Sequence, residues 1–217
     1  MTLQNFIVLE GIDGAGTSTQ LALLKARPEA AGFYFTAEPT AAPTGVFLRQ
    51  MLKGAVGVTN ETAAYLFAAD RNEHVNGALV ADGQALVTGI RHACEAGHVV
   101  VSDRYLFSSL AYQSIQCPPE VPRRLNEGFP LPALLVFLDI SPEKALARIS
   151  GRAHREIYEE QAFLERTVAA YRAMLDEYHS LPAGAGMKTL VLDATLPPGE
   201  LHKIIWQEIA ELPIKKG

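Results

Sequence analysis

Short apolar runs alternate along the chain with longer stretches in which apolar positions recur every three or four residues. Phe6 to Leu9 is a continuous apolar run, the composition of a strand buried on both faces. Leu21, Leu23 and Leu24 then open a helical pattern. Phe33 to Thr36 reads as a second strand, ended by Glu38-Pro39, and Thr44 to Lys53 as a helix with Val46, Leu48, Met51 and Leu52 on its apolar face. Gly54 to Asn60 is a loop; Thr59 or Asn60 caps a helix that begins near Glu61 and carries Tyr65, Leu66, Phe67, Arg71 and His74. A further helix is predicted from about Ala81 to Glu95, stopped by Gly97. Val99 to Val101 is a strand running into Ser102-Asp103, and Leu134 to Leu138 is another that ends at Asp139. Pro142 opens the next helix in the favoured first position. Leu164, Val168, Tyr171, Leu175 and Tyr178 mark the core face of a long helix, where the aromatics read as packing. Thr189 to Leu192 is a last strand and Pro198 to Leu212 a last helix. This alternation predicts an α/β fold, a parallel sheet with helices on both faces.

Composition narrows the picture without changing it. With 217 residues, 48% apolar and 20% charged, the chain fits one globular domain spanning 1–217, with a short lid segment at about 150–160. A net charge of −5 disfavours a nucleic-acid surface, which needs clustered basic residues. The first residues carry no basic n-region, and no apolar run approaches the ~18 residues that span a bilayer. Cys94 and Cys117 form no C-x-x-C pair and are expected to be reduced, consistent with a cytoplasmic protein. The six histidines have no metal-ligand spacing, so a protein-held zinc site is not expected.

The chemistry begins where the first strand ends. Gly11, Gly14 and Gly16 sit between strand and helix, the context of a phosphate-binding loop, where backbone N–H groups turn inward at a helix N-terminus. Gly11 to Ser18 matches G-x-x-x-x-G-K-[ST] at every fixed position but one: Thr17 stands where the lysine belongs. Asp103, at the end of a buried strand, is placed as the magnesium-binding aspartate of such a protein. Asp103-Arg104 is an adjacent acid and base at a buried strand's exit, costly without a ligand. Gly151 to Glu159 is polar and groups Arg152, His154 and Arg155.

At this point the chain resembles the thymidylate kinases among the nucleoside monophosphate kinases, over nearly its whole length. The blocks that carry the resemblance are Leu9-Glu-Gly-Ile-Asp-Gly-Ala-Gly, Glu38-Pro39-Thr40, Leu66-Phe-Ala-Ala-Asp-Arg71, Asp103-Arg-Tyr-Leu-Phe-Ser-Ser-Leu-Ala-Tyr-Gln113 and Leu138-Asp-Ile-Ser-Pro-Glu143. It implies a P-loop NTPase three-layer fold with a five-stranded parallel sheet, a homodimer, and transfer of the ATP γ-phosphoryl group to dTMP with Mg²⁺, giving dTDP. ATP phosphates would be cradled by Gly11, Ile12, Asp13, Gly14, Ala15, Gly16, Thr17, Ser18 and Thr19, with Ser18 and Asp103 at the metal. Asp13 would act near the transferred phosphoryl group, and Arg104 would grip the acceptor phosphate. Arg152 and Arg155 would reach the donor phosphates from the lid. Phe67 matches the residue that stacks on thymine, Arg71 the donor to its exocyclic oxygen, and Tyr112 the aromatic that favours deoxyribose. Glu38, Arg49, Ser108, Ser109 and Gln113 match further residues of the dTMP site.

Each of these has a plainer reading: Phe67 as core, Arg49 and Arg71 as solvated helix charges, Ser108 and Ser109 as helix caps, Glu38 as a turn residue. The chain also departs from the family at Thr17, at Ala37 in place of an arginine and at Ser114 in place of a glycine. Two alternatives therefore stand beside the dTMP kinase: a catalytically weakened nucleotide-binding relative, and a kinase of the same fold with a different acceptor.

Overall fold

The computed structural model describes residues 1–79, 85–150, 158, 160–180 and 186–213. In chain order its elements are β1 (Thr2–Glu10), α1 (Thr17–Lys25), β2 (Tyr34–Ala37), α2 (Pro43–Leu52), α3 (Asn60–Asn76), β3 (Ala78–Leu79), β4 (Ala85–Val87) and α4 (Ile90–Glu95). They continue with β5 (Val100–Asp103), α5 (Leu106–Tyr112), α6 (Glu120–Asn126), β6 (Leu131–Asp139), α7 (Pro142–Ile149), α8 (Gln161–Ser180), β7 (Lys188–Asp193) and α9 (Pro198–Ala210). Five strands pair in parallel in the order β2-β5-β1-β6-β7, the α/β sheet flanked by helices that the sequence predicts.

The central strands are apolar because both their faces are covered. Phe6 to Leu9, Val100, Val101 and Leu134 to Leu138 are all buried. Phe6 meets Tyr105 edge-on at 5.0 Å, and Phe137 lies 4.9 Å from Tyr171 of α8. Each such fully buried side chain contributes roughly 1.5–3 kcal/mol over an exposed one. The Thr59 hydroxyl accepts the Thr62 N–H and starts α3, as one of the two expected caps.

Register decides where the chemistry sits. Leu9 pairs with Asp103, and Asp103 with Ala37, so these three residues lie in one rank at or next to the ends of their strands. The next residues, Glu10 (still paired with Phe137 of β6), Arg104 and Glu38, therefore gather at the sheet's carboxyl edge. Strand order reverses about β1, and ligands bind in the crevice at such a point.

The helix predicted from Ala81 to Glu95 is a correction. Only Ile90–Glu95 is helical, while β3 and β4 form an antiparallel pair and residues 80–84 lie outside the described residues. Gly89 is extended (φ −65°, ψ 138°) and sits against the end of α3, where a Cβ would come within 2.6 Å of the Asn76 carbonyl carbon. The extended backbone at Gly89 starts the helix no earlier than Ile90, and only a residue without a side chain fits that approach to α3. The Ala85-Leu-Val87 run also suits a strand as well as a helix, and β-branched Val87 and Thr88 favour the strand.

Candidate active site

Gly11 to Ser18 joins β1 to α1. Gly14 and Gly16 have φ of +88° and +104°, the left-handed region that glycine enters freely. At Gly14 a side chain is excluded twice over, since a Cβ would stand 2.4 Å from the Ala145 carbonyl oxygen of α7. Ile12 to Gln20 line a cavity of about 520 Å³ whose far side is Arg148, Ile149, Ala194, Leu196, Pro198 and Leu201. Ile12, Asp13, Gly14, Ala15, Gly16, Thr17, Ser18 and Thr19 thus share one cavity, with Gly11 at the loop's root. Thr17 is the first residue of α1 and is buried. Arg152 and Arg155 lie outside the described residues.

A second cavity, of about 230 Å³, opens beside the first. Glu38, Arg49, Phe67, Arg71, Ser108, Ser109, Tyr112 and Gln113 line it together with Asp13, Ser18, Asp103 and Arg104, joining α2, α3 and α5 to the loop. Asp13, Ser18 and Arg104 line both cavities and so form the wall between them. On that wall Arg104 Nη2 donates to Asp13 Oδ1 at 2.6 Å, and Nη1 to the Gly11 carbonyl at 3.0 Å and Ser108 Oγ at 3.2 Å. Tyr112 OH donates to Asp13 Oδ2 at 3.3 Å. Burial opposes the charge of Arg104, but Asp13, Tyr112, Tyr171 and Glu10 together outweigh it and hold the guanidinium protonated.

The outer wall of the second cavity is a buried ionic network. Glu38 Oε2 accepts from Arg71 Nη2 at 2.6 Å, and His74 Nδ1 lies 2.9 Å from Glu38 Oε1. His74 Nε2 in turn lies 2.7 Å from Thr36 Oγ1. Burial would raise the Glu38 carboxyl; Arg71 and His74 outweigh it and hold its pKa below the usual value. Arg71 also donates to Ser109 Oγ at 3.0 Å and to Asn126 Oδ1, and its guanidinium sits between the rings of Tyr105 and Phe129. Arg49 is turned onto the Pro39 and Thr40 carbonyls, which bracket the loop after Glu38. The plainer readings of Arg71 and Glu38 fail here, because neither is solvated: their exposures are 1% and 8%. Phe67, half-buried, has one side on the cavity.

The polar residues present suit a magnesium ion. Ser18 Oγ donates to Asp103 Oδ2 at 2.7 Å, whereas Asp103 Oδ1 is buried with no hydrogen-bond partner among the described residues. A hydroxyl and a carboxylate where the two cavities meet are the hard oxygen ligands Mg²⁺ takes alongside substrate phosphates. No group of three or more His, Cys, Asp or Glu residues that could hold a metal alone occurs among the described residues.

Four contributors escaped the sequence reading. Arg148 lines the larger cavity, donating to the Ala194 carbonyl at 2.7 Å and to the Gly14 and Ala15 carbonyls at 3.3 and 3.4 Å. Tyr158 lines the second cavity and lies 5.7 Å from the Tyr112 ring. Asn126 holds Arg71, and Glu10 lies beneath Arg104. Arg148 follows Pro142 on a charged helix, and Asn126 belongs to a helix with no clear apolar period, so only their partners in space reveal them.

The sequence matches the family model described as "Thymidylate kinase" over residues 9–205. A "Thymidylate kinase" of Thermomicrobium roseum is 34% identical over 227 aligned positions, covering 98% of this chain and 97% of that protein. A "Probable thymidylate kinase" of Methanococcus aeolicus is 34% identical over 176 positions, 81% of each chain. A relative from Treponema pallidum reaches 36% over 212 positions, covering 96% of both chains. With two nucleotide-sized cavities meeting at one arginine behind a glycine-rich loop, and with these matches across nearly its full length, the chain belongs to the thymidylate kinase family.

Proposed function

We propose that this protein transfers the γ-phosphoryl group of ATP to dTMP. The larger cavity receives the donor, whose phosphates lie on the amides of Asp13 to Thr19 at the N-terminus of α1. The smaller receives the acceptor. The observation that carries the choice of base is a pair of unsatisfied groups on its wall. Arg71 Nε–H is a buried donor and Gln113 Oε1 a buried acceptor, neither with a partner among the described residues. Thymine presents an acceptor at O4 next to a donor at N3, the complement of this pair; cytosine presents the reverse. A site built this way rejects a base that leaves its groups unpaired by large factors. Phe67 stacks on the base, Tyr112 crowds the 2′ position, and Glu38, Arg49, Ser108 and Ser109 complete the pocket.

Phosphoryl transfer needs positioning and charge neutralisation more than covalent chemistry. Arg104, on the wall between the cavities, grips the acceptor phosphate and meets the charge that develops in transit. Asp13 orients it there. Ser18 and Asp103 would hold Mg²⁺, which supplies positive charge to the phosphate oxygens when bound. Arg152 and Arg155 would add cations from a lid at about 150–160, within one kinase domain spanning 1–217.

The same reading makes the protein a cytoplasmic homodimer. Among the described residues no helix is long and apolar enough to cross a membrane. Val46 of α2 and Tyr65 of α3, large side chains 47% and 57% exposed on helices that pack together, offer a surface for the second copy.

A coupled assay with ATP, Mg²⁺ and a panel of dTMP, dUMP, dCMP, dGMP and UMP tests the proposal. dTMP is expected to be turned over fastest. Equal turnover of dCMP sinks the base assignment, and no turnover of any acceptor favours the weakened relative that Thr17 suggests.

A further inference from the structure

Glu10, the last residue of β1, is fully buried and lines neither cavity. Its Oε1 accepts the Tyr105 N–H at 2.9 Å and the Ser108 N–H at 3.1 Å. Its Oε2 accepts from Ser108 Oγ at 2.7 Å and from Tyr171 OH of α8 at 2.8 Å. These bonds surround Arg104, whose φ of +71° makes it the one non-glycine residue in the left-handed region among the described residues. A long side chain holds that conformation only where the surroundings over-determine it. Here they do. The Arg104 N–H donates to the Leu9 carbonyl at 2.9 Å, the Arg104 carbonyl accepts from Ser102 Oγ at 2.7 Å, and the next amide, of Tyr105, is held by Glu10. Ser108, one of the groups the Arg104 side chain touches, is also fixed by Glu10.

We infer that Glu10 is a positioning residue for phosphoryl transfer, clamping the turn at Arg104 so that the guanidinium faces the wall between the two cavities. This rests on the function proposed above for that wall.

The clamp works against the stability of the fold. Burial pushes the Glu10 pKa from 4.5 up to about 7, although Arg104, Ser108, Tyr171 and the Tyr105 amide all favour the carboxylate. The charged and titratable groups facing it are Arg104 from the turn, with Asp13 behind it, Tyr112 from α5 and Tyr171 from α8. Burial pushes both tyrosines upward, so they stay neutral in the working range. An acid whose folded pKa is raised contributes its stability fully below the unfolded value of 4.5 and loses it as pH rises through about 7. A clamp and a merely structural carboxylate therefore predict different outcomes for an uncharged isostere.

The full-length parent, Glu10→Gln and Tyr171→Phe are compared for kcat, KM and thermal midpoint at pH 6 and pH 8. Glu10→Gln is expected to lower kcat about 10- to 100-fold, the scale of a slightly misplaced group. KM for ATP should stay within about twofold, and the midpoint at pH 8 at or above the parent's. The parent's kcat should rise from pH 6 to pH 8 as Glu10 ionises and its carboxylate takes up all four hydrogen bonds, and this rise should shrink in the variant. Tyr171→Phe keeps the ring and removes one donor to the carboxylate, so it should shift the acidic limb of kcat to higher pH, and it tests the clamp even where Glu10→Gln folds poorly. An unchanged kcat in Glu10→Gln, or a loss of kcat matched by a lower midpoint at pH 8, overturns the clamp. A parent that does not phosphorylate dTMP overturns the functional reading instead.

Discussion

The smaller cavity, proposed for the acceptor, is walled by a buried ionic network, whereas the larger one, proposed for the donor, is walled by the glycine-rich loop with Arg104 and Arg148 as its cations. Two buried carboxylates, Glu38 and Glu10, show the difference, since each comes directly after a residue of one rank of the sheet, Ala37 and Leu9, both level with Asp103. Glu38 touches Arg71 and His74 directly, and its pKa falls. Glu10 touches two amides and two hydroxyls, its nearest cation is committed to Asp13, and its pKa rises to about 7. Both are buried, Glu10 completely and Glu38 to 8% exposure. The charge of the partner decides the sign. The acceptor wall is thus preassembled and stable when ionised, while the transfer wall is held in place against a desolvation penalty.

The largest expected effect comes from breaking the acceptor network. Arg71→Ala leaves Glu38 and His74 buried without their cation, and removing one partner of a buried pair typically costs about 3–5 kcal/mol. The urea midpoint should fall steeply, and dTMP turnover should vanish with it. A variant as stable as the parent would mean that the network does not hold this wall.

Arg104→Ala should separate function from stability. Its ion pair with Asp13 is partly open to solvent, at 21% and 18% exposure, so the fold loses little. Removing the cation on the transfer wall should lower kcat by about 10²–10³ or more, the scale of a lost electrostatic donor. Asp103→Ala should do likewise and flatten the dependence of rate on Mg²⁺. A large loss of thermal stability at unchanged specific activity would instead make the pair structural.

Titration sharpens the same contrast. The folded pKa of Glu38 lies below its unfolded value, so its contribution is fully present above about pH 4.5 and is lost as pH falls through the folded pKa. Stability measured by urea unfolding should therefore fall on acidification below pH 4.5. Glu38→Gln, less stable at neutral pH because Arg71 is left unpaired, should show a flatter acid limb. An equally steep limb in that variant would assign the acid sensitivity to other carboxylates.

Local sequence carried much of this. The β1-loop-α1 unit, the strand ending at Asp103 and the set of residues around the acceptor cavity were legible, because glycine spacing, apolar runs and the resemblance each leave a local mark. What stayed hidden depends on contacts distant in sequence. Glu10 meets Tyr171 across 161 positions, and Arg71 meets Asn126 across 55. The segment before Ile90 was misread because its residues suit either period, and the deciding contact, Gly89 against Asn76, is tertiary.

The smallest effect should come from the donor half, at Thr17. A lysine there would bring a point charge to the β- and γ-phosphates, and a lost donor of that kind costs about 10²–10³ in rate when nothing replaces it. Here something is available. Arg104 lines the donor cavity, and Ser18 with Asp103 suits a magnesium ion. Arg148, the other cation lining that cavity among the described residues, is directed to carbonyls of Gly14, Ala15 and Ala194 and so is already engaged. Arg152 and Arg155 would supply planar forks suited to phosphate from the lid. Thr17→Lys is therefore expected to raise kcat only modestly, by about tenfold, and to soften the losses caused by Arg152→Ala and Arg155→Ala, which should each be severe in the parent. The comparison is made by single-turnover kinetics with saturating ATP and dTMP. A Thr17→Lys variant no faster than the parent, together with harmless lid substitutions, would remove the idea that lid arginines compensate. Activity appearing only in Thr17→Lys would show instead that the donor half lacks the cation that transfer requires.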